Sequence, residues 1–256
     1  MSALPPAVDP AFLSREEAAL RIAQLAEEIR GHDQRYYQQD APTISDAAYD
    51  ALRLQLERLE RQFPDLVTAD SPTQKVGAAP AEGFGKVRHR VPMLSLENAF
   101  TREDVEEFIA RVRRFLELGT QEPLELVMEP KIDGLSFSAL FYQGELLVAA
   151  TRGDGEEGEN ITENIVHVQN FPERIEGAPD LLEVRGEVLM LRADFDRLNE
   201  AQRTRGEKVF VNPRNAAAGS LKLLDPHEVA ERGLSAVFYG LAEMKHLPVD
   251  TQEEVH

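Results

Sequence analysis

Apolar residues recur every three or four positions in the first part of the chain, and from about residue 124 the pattern changes to short β-rich segments, so the chain divides in two. In SREEAALRIAQLAEEIR, Ala18, Ile22, Leu25 and Ile29 fall on one helical face, and Ser14 with Glu17 has capping-box spacing. A second helix begins near Ser45, carries Tyr49, Leu52, Leu56, Leu59 and Phe63 on one side, and stops at Pro64. The loop QQDAPTI joins the two, which predicts an antiparallel pair. Residues 64–92 are rich in Pro, Gly and Ala without either period and read as a linker and extended connection. Thr101 and Asp104 then cap a third helix, whose Val105, Phe108, Ile109, Val112 and Leu116 are expected to face a core.

The segments LELVMEP, LSFSALFY, ELLVAAT, LLEVRGEVLML and AVFYGLA are short, β-rich and bounded by turn signals, with Gln143-Gly144 closing a hairpin. The prediction is an α+β chain: a small helical domain over residues 1–72 and a mixed, mainly antiparallel domain over 73–256.

Composition narrows the chemistry. The 256 residues contain no cysteine, which excludes disulfides, cysteine nucleophiles and cysteine-ligated zinc within this chain. The six histidines show no helical ligand spacing, so no metal site is expected from them. A net charge of −18 opposes polyanion binding by the surface as a whole, and any nucleic-acid contact must be local. No apolar run is long enough to span a membrane and no signal peptide is evident, so a cytoplasmic location is expected.

The most informative stretch is Glu129-Pro130-Lys131-Ile132-Asp133-Gly134, expected at the end of a strand. Alternation puts Glu129 and Lys131 on one side, and Gly134 permits a tight turn. A lysine nucleophile needs its ordinary pKa of about 10.4 depressed by burial or neighbouring cations. Glu129 and Asp133 would pull the other way, so they suit ligand hydrogen bonding, metal holding or orientation of the amine. A plain exposed turn is the competing reading.

Arg152-Gly153-Asp154-Gly155-Glu156-Glu157-Gly158 contains a literal G-x-G-x-x-G after a strand. A dinucleotide-binding turn would set pyrophosphate on a helix N-terminus. The acidic filler and antiparallel surroundings favour instead a glycine-rich loop with a phosphate-facing Arg152, or a solvated turn. In Glu183-Val184-Arg185-Gly186-Glu187-Val188, the charged residues share one strand face and the valines the other. Residues 203–222 form one basic window of net +4, including Arg205 and Arg214, which could meet phosphates. Near the first inter-helix loop, Tyr36, Tyr37, Asp46, Tyr49 and Asp50 gather aromatic faces beside acids, a setting suited to a flat cationic heterocycle such as nicotinamide. Tyr49 fits the packed face equally well.

In their order along the chain, Y-Y-x-x-D-A-P-x-I-S-D-x-x-Y-D, S-P-T-Q-x-V-G, M-L-S-L-x-N-A-F, E-P-K-I-D-G, R-G-D-G-x-x-G-E, V-R-G-E-V and N-P-R-N-A-A-A-G-S-L resemble the bacterial NAD-dependent DNA ligases from Tyr36 to Tyr239. The resemblance implies a helical domain that binds nicotinamide mononucleotide (NMN), then an ATP-grasp-like nucleotidyltransferase domain. It implies that Lys131 takes AMP from NAD through a phosphoramidate bond, with Asp133 in a catalytic role. Glu129, Ile132, Arg152, Glu187, Ser95, Leu96 and Tyr239 would bind the adenylate half, Tyr239 by stacking on adenine. Tyr36, Tyr37, Asp46, Tyr49 and Asp50 would grip the mononucleotide half, and Arg214 and Arg205 would contact DNA. Magnesium is expected with the nucleotide, nicked double-stranded DNA is the expected partner, and the protein is expected to be monomeric.

The family continues with further lysine-bearing motifs, an oligonucleotide-binding barrel, a four-cysteine zinc module, helix-hairpin-helix repeats and a BRCT module, none legible in these 256 residues. The sequence therefore reads as an N-terminal portion with an incomplete adenylation domain and no zinc site. It is not expected to seal nicks alone. Two rivals predict otherwise: a non-catalytic nucleotide- or partner-binding module carries no covalent adenylate on Lys131, and an oxidoreductase using the G-x-G-x-x-G transfers hydride without one.

Overall fold

The computed structural model describes residues 13–35, 43–74, 84–96, 98–244 and 251–255. Helix α1 (Arg15–Asp33) opens as its sequence dictates: the Ser14 hydroxyl accepts from the Glu17 amide, and the Glu17 carboxylate accepts from the Ser14 amide at 2.9 Å. Helix α2 (Asp46–Gln62) starts on Ser45 and ends where Pro64 begins a 3-10 turn, Pro64–Leu66. The two pack through Ile22, Leu25, Ala26 and Ile29 against Leu52, Leu56 and Leu59, a cluster of buried side chains separate from the rest of the core.

The expected structureless linker after residue 64 is more ordered than its composition suggests. The Ser71 and Thr73 hydroxyls donate to the two carboxylate oxygens of buried Glu60, which accounts for S-P-T-Q as a cap on a buried charge. Strand β1 (Lys86–Arg88) pairs antiparallel with β4 (Glu157–Glu159). No window of period 2 announced β1, because three residues are too few to show one.

Helix α3 (Arg102–Phe115) forms with its predicted capping box on Thr101 and Asp104, but the expected core does not cover it. None of its residues is buried, and Val105, Phe108 and Leu116 are about half exposed. Amphipathic spacing determines which face is apolar and carries no information about what lies against it. LELVMEP is likewise corrected: no strand is assigned to it, and Leu126, Val127 and Met128 are exposed. Alternation gives a β preference, yet a strand needs a partner ladder, and none of the described residues supplies one.

The central sheet is four-stranded and antiparallel in the order β3-β2-β5-β6, formed by β2 (Leu135–Tyr142), β3 (Glu145–Thr151), β5 (Leu181–Met190) and β6 (Leu234–Met244). The β2–β3 hairpin turns at Gln143 and Gly144, both at positive φ (51° and 82°), as the predicted tight turn requires. Helices α4 (Thr162–Ile165), α5 (Arg192–Arg205), α6 (Pro213–Leu221) and α7 (Pro226–Ala230) punctuate the strands, and α8 (Gln252–Val255) follows them. Phe137, Ala139, Phe141, Val184 and Val188 pack with Ile165, Phe195, Ala216, Ala217, Leu221 and Val229. Phe137 meets Phe171 and Phe238 edge-on, at 5.7 and 5.6 Å between ring centroids. The opposite side of β2 and β5 carries Ser136, Ser138, Glu183, Arg185 and Glu187, the alternation read from the sequence. The fold is thus mixed α+β with antiparallel sheets, and no helix among the described residues is long and apolar enough to cross a membrane.

Candidate active site

The polar side of the sheet opens into a cleft of about 1100 Å³. Its floor is set by register. Ser136 lies opposite Glu187 and Ser138 is next to Glu183 across the β2–β5 pair, so each buried carboxylate finds a hydroxyl: Ser136 donates to Glu187 at 2.7 Å and Ser138 to Glu183 at 2.6 Å. Glu187 takes a second bond from the Gly134 amide at 3.2 Å. Here the glycine is obligatory, because a Cβ at residue 134 would lie 2.1 Å from the Val188 carbonyl oxygen.

Lys131 is placed by this anchor. It stands exposed in the extended segment entering β2, not at the end of a preceding strand, and lines the cleft with Glu129, Pro130 and Ile132. Arg152 enters from the end of β3 and Arg214 from the first turn of α6, whose N-cap Asn212 accepts from the Asn215 amide. Burial pushes the Glu187 carboxyl above its ordinary value; the Ser136 hydrogen bond and the charges of Arg214, Lys131 and Arg152 pull the other way. Three cations therefore lie around one desolvated carboxylate, an arrangement able to hold a polyphosphate. Arg214 also donates to Asp133 at 2.8 Å, tying α6 to the Lys131 segment.

Tyr239 reaches the cleft by an irregularity. In the β5–β6 register Arg185 faces Gly240 and Gly186 faces Phe238, so Tyr239 is the extra residue of a β-bulge, and its side chain is turned to line the cleft. Burial, then the nearby charge of Glu187, raises the Tyr239 phenol above its usual range. Gln252 of α8 bridges the Tyr239 carbonyl and the Glu129 carboxylate at 3.0 and 3.2 Å.

The remaining wall comes from Met93–Leu96 and α2. Arg185 donates to the Pro92 and Val91 carbonyls at 3.1 and 2.5 Å, and the Met93 amide bonds Gly155 at 2.9 Å, so Ser95 and Leu96 line the cleft from a segment tethered at two points. Tyr49 and Asp50 line it from α2. Asp46 opens α2, but its side chain, like Tyr36 and Tyr37 altogether, lies outside the described residues. Arg205 is in the last turn of α5, is exposed and does not line the cleft.

Two sequence motifs resolve into local structure. The G-x-G-x-x-G is the turn between β3 and β4, where the Asp154 carboxylate accepts the Glu156 and Glu157 amides at 2.9 and 2.8 Å. The flanking strands are antiparallel and no helix follows at Gly158, so the dinucleotide-binding-turn reading does not hold. The basic window is dispersed. Arg203 pairs with Glu200, Arg214 enters the cleft, and Lys222 turns inward to buried Glu159 at 3.8 Å. Helices α5 and α6 present these cations in different directions, which a charge count along the chain does not see.

Ser136, Asp33 and Arg53 were not singled out from the sequence. The serines that recur every second residue in LSFSALFY were a usable signal; Asp33 and Arg53 had none.

Residues 81–256 match the family model of the NAD-dependent DNA ligase adenylation domain, and residues 15–77 that of the DNA ligase-like N-terminal NAD+-binding domain. Among curated relatives, a DNA ligase of Afipia carboxidovorans is 54% identical over 252 residues, covering 98% of this chain and 35% of the relative. A DNA ligase of Nitrobacter hamburgensis is 53% identical, again covering 98% and 35%. A DNA ligase of Parvibaculum lavamentivorans is 53% identical and covers 96% and 35%. This chain thus spans about a third of the length of the relatives it matches. With one family model covering more than half of it and the lysine of E-P-K-I-D-G standing in a cation-lined cleft, the chain belongs to the NAD-dependent DNA ligase family.

Proposed function

We propose that the cleft binds NAD and that Lys131 is its nucleophile. The Lys131 Nζ attacks the α-phosphorus of NAD. A P–N bond forms, the P–O bond of the pyrophosphate breaks, NMN leaves with the electron pair, and the amine gives up a proton. The observation that carries this reading is the convergence of Lys131, Arg152 and Arg214 around Glu187, across one cleft from Tyr49 and Asp50. Arg152 and Arg214 stand where charge grows on the phosphate in the transition state. Glu187 and Ser136 suit ribose hydroxyls. Tyr239 suits adenine by its ring, beside Ile132 and Glu129, with Ser95 and Leu96 closing the pocket.

In this proposal residues 1–72 form a helical-hairpin domain that takes the NMN half, with Tyr36, Tyr37, Asp46, Tyr49 and Asp50 as its contacts. Residues 73–256 belong to an ATP-grasp-like nucleotidyltransferase domain. The two separate hydrophobic clusters support such a division. Closing one domain on the other would exclude water and align the attack. Among the described residues no group of three His, Asp or Glu is assembled for a metal, so magnesium enters the proposal as an ion carried by the nucleotide phosphates.

The lysyl-AMP would pass to the 5′-phosphate of nicked duplex DNA and the nick would then be sealed in replication and repair. That is the work of a cytoplasmic monomer, with Arg214 and Arg205 touching the DNA. The net charge of −18 supports placing most of the DNA grip in the two-thirds of the relatives' length that this chain does not span.

The test is intact mass before and after incubation with NAD and magnesium. The expected result is one AMP on the wild-type chain, mapped to Lys131, and none on Lys131→Arg, since a guanidinium does not deprotonate in proteins. An adduct of undiminished yield on Lys131→Arg would remove Lys131 from the role.

A further inference from the structure

The cleft wall formed by α2 is held by a contact between two helices. Tyr49 packs its ring beside the buried leucines of α1 and α2 and also lines the cleft. Its hydroxyl donates to Asp33 at 2.5 Å, on the last turn of α1; the Arg53 guanidinium, one turn along α2, interacts favourably with the same phenol. Arg53 lines the same cleft and pairs with Glu57 at 3.8 Å. Burial works against the charge on Arg53, but Tyr49, Glu57 and Asp33 together hold the guanidinium above its ordinary pKa. Asp33 is itself partly buried, at the junction of the two helices. A phenol has one proton to donate and Asp33 accepts it, which leaves the lone pairs of the phenol oxygen for the Arg53 guanidinium.

We infer that Asp33 and Arg53 are positioning residues for the departing half of the dinucleotide. By clamping the Tyr49 hydroxyl from both helices they set the tilt of its ring, so that Tyr49 offers a flat aromatic face, and not its hydroxyl, to a cationic nicotinamide. Attraction of a cation to a ring requires the cation over the face, so a ring free to swing loses affinity while keeping its chemistry. The inference rests on the NAD reading of the cleft and deepens it. It does not follow from any motif, since neither residue belongs to the pattern around Tyr36–Asp50.

The experiment is calorimetric titration of the 256-residue chain with NMN, comparing wild type with Tyr49→Phe, Asp33→Asn, Arg53→Met, Arg53→Lys and the two double variants that join Asp33→Asn or Arg53→Met to Tyr49→Phe. Tyr49→Phe keeps the ring on its packed surface and deletes only the clamp, so it guards against loss of fold. Each of Tyr49→Phe, Asp33→Asn and Arg53→Met should weaken NMN by about tenfold, the scale of one hydrogen bond to a charged group. Arg53→Lys, which keeps a donor, should recover most of the loss. The double variants should bind no worse than Tyr49→Phe alone, because a clamp cannot be broken twice. Losses that add in the double variants overturn the inference and make Asp33 or Arg53 a direct ligand contact or a support of the fold. Wild-type affinity in all single variants overturns it as well. Wild-type protein that neither binds NMN nor takes AMP on Lys131 overturns the NAD reading itself, and the inference with it.

Discussion

The two faces of the central sheet are built from the same strands and do opposite things. One face, with Phe137, Phe141, Val184 and Val188, is buried against helices and makes the domain stable. The other buries Ser138, Glu183 and Glu187 and leaves Ser136 and Arg185 partly exposed beside the cleft. Each carboxylate there has its hydroxyl partner, yet one oxygen of Glu183 and the Nε of Arg185 have no hydrogen-bond partner among the described residues. Desolvating such groups costs stability. One face stabilises the scaffold and the other uses part of that stability to hold charges in a fixed array.

The sharpest way to break the apolar face is Phe137→Ala. Phe137 is fully buried and touches two aromatic rings, so chemical denaturation should show a loss of about 3–5 kcal/mol. A loss under about 1 kcal/mol would mean that the ring is not central to the core.

Gly134→Ala tests the seam between the faces. Its Cβ would overlap the Val188 carbonyl, so β2 must shift away from β5 and carry Lys131 with it. Destabilisation of about 1–3 kcal/mol is expected, the range for overpacking, with adenylation lost beyond what the change in melting temperature explains. Full adenylation in a destabilised variant would uncouple the Lys131 segment from the Glu187 anchor.

The polar face predicts a gain. Burial raises the Glu187 carboxyl above its ordinary value of 4.5, so the folded state holds that proton more tightly than the unfolded chain. The contribution to stability is complete below about pH 4.5 and is lost as pH rises through the raised value. Glu187→Gln should therefore melt above wild type at neutral pH, with the difference shrinking toward zero near pH 4.5, while AMP transfer falls. Melting curves across pH 4 to 8 decide it, and a difference independent of pH would contradict the assignment.

The smallest effect belongs to α3. Its Phe108 is about half exposed, so Phe108→Ser should change stability by no more than about 0.5 kcal/mol, against several for Phe137. A larger loss by denaturant titration would show that α3 is covered in solution.

Much of this architecture is legible along the chain because its causes are local. Ser14 with Glu17 and Thr101 with Asp104 lie three residues apart, within one helical turn, and their spacing alone starts α1 and α3. Glu183, Arg185 and Glu187 alternate with valines, and a strand must send them to the opposite side from the core. The lysine of E-P-K-I-D-G and the arginine of R-G-D-G were likewise legible as candidates, through residue chemistry and family resemblance together.

What the chain order cannot state is which distant surface meets which. α1 and α3 carry the same capping grammar and the same kind of apolar stripe. Ile22, Leu25 and Ile29 are buried against α2, and Val105 and Phe108 stay about half exposed, because periodicity orients a face and only a neighbour buries it. The alternating LELVMEP found no ladder. The hydrogen bond from Gly134 to Glu187 joins residues 53 apart, Arg185 reaches a carbonyl 94 residues away, and Tyr239 enters the cleft through one unpaired residue in β6. Forces that act within a turn or across one pleat were written in the sequence. The assembly of Lys131, Glu187, Arg214 and Tyr239 around one volume depended on register, bulge and packing between remote segments, and only the tertiary structure decided those.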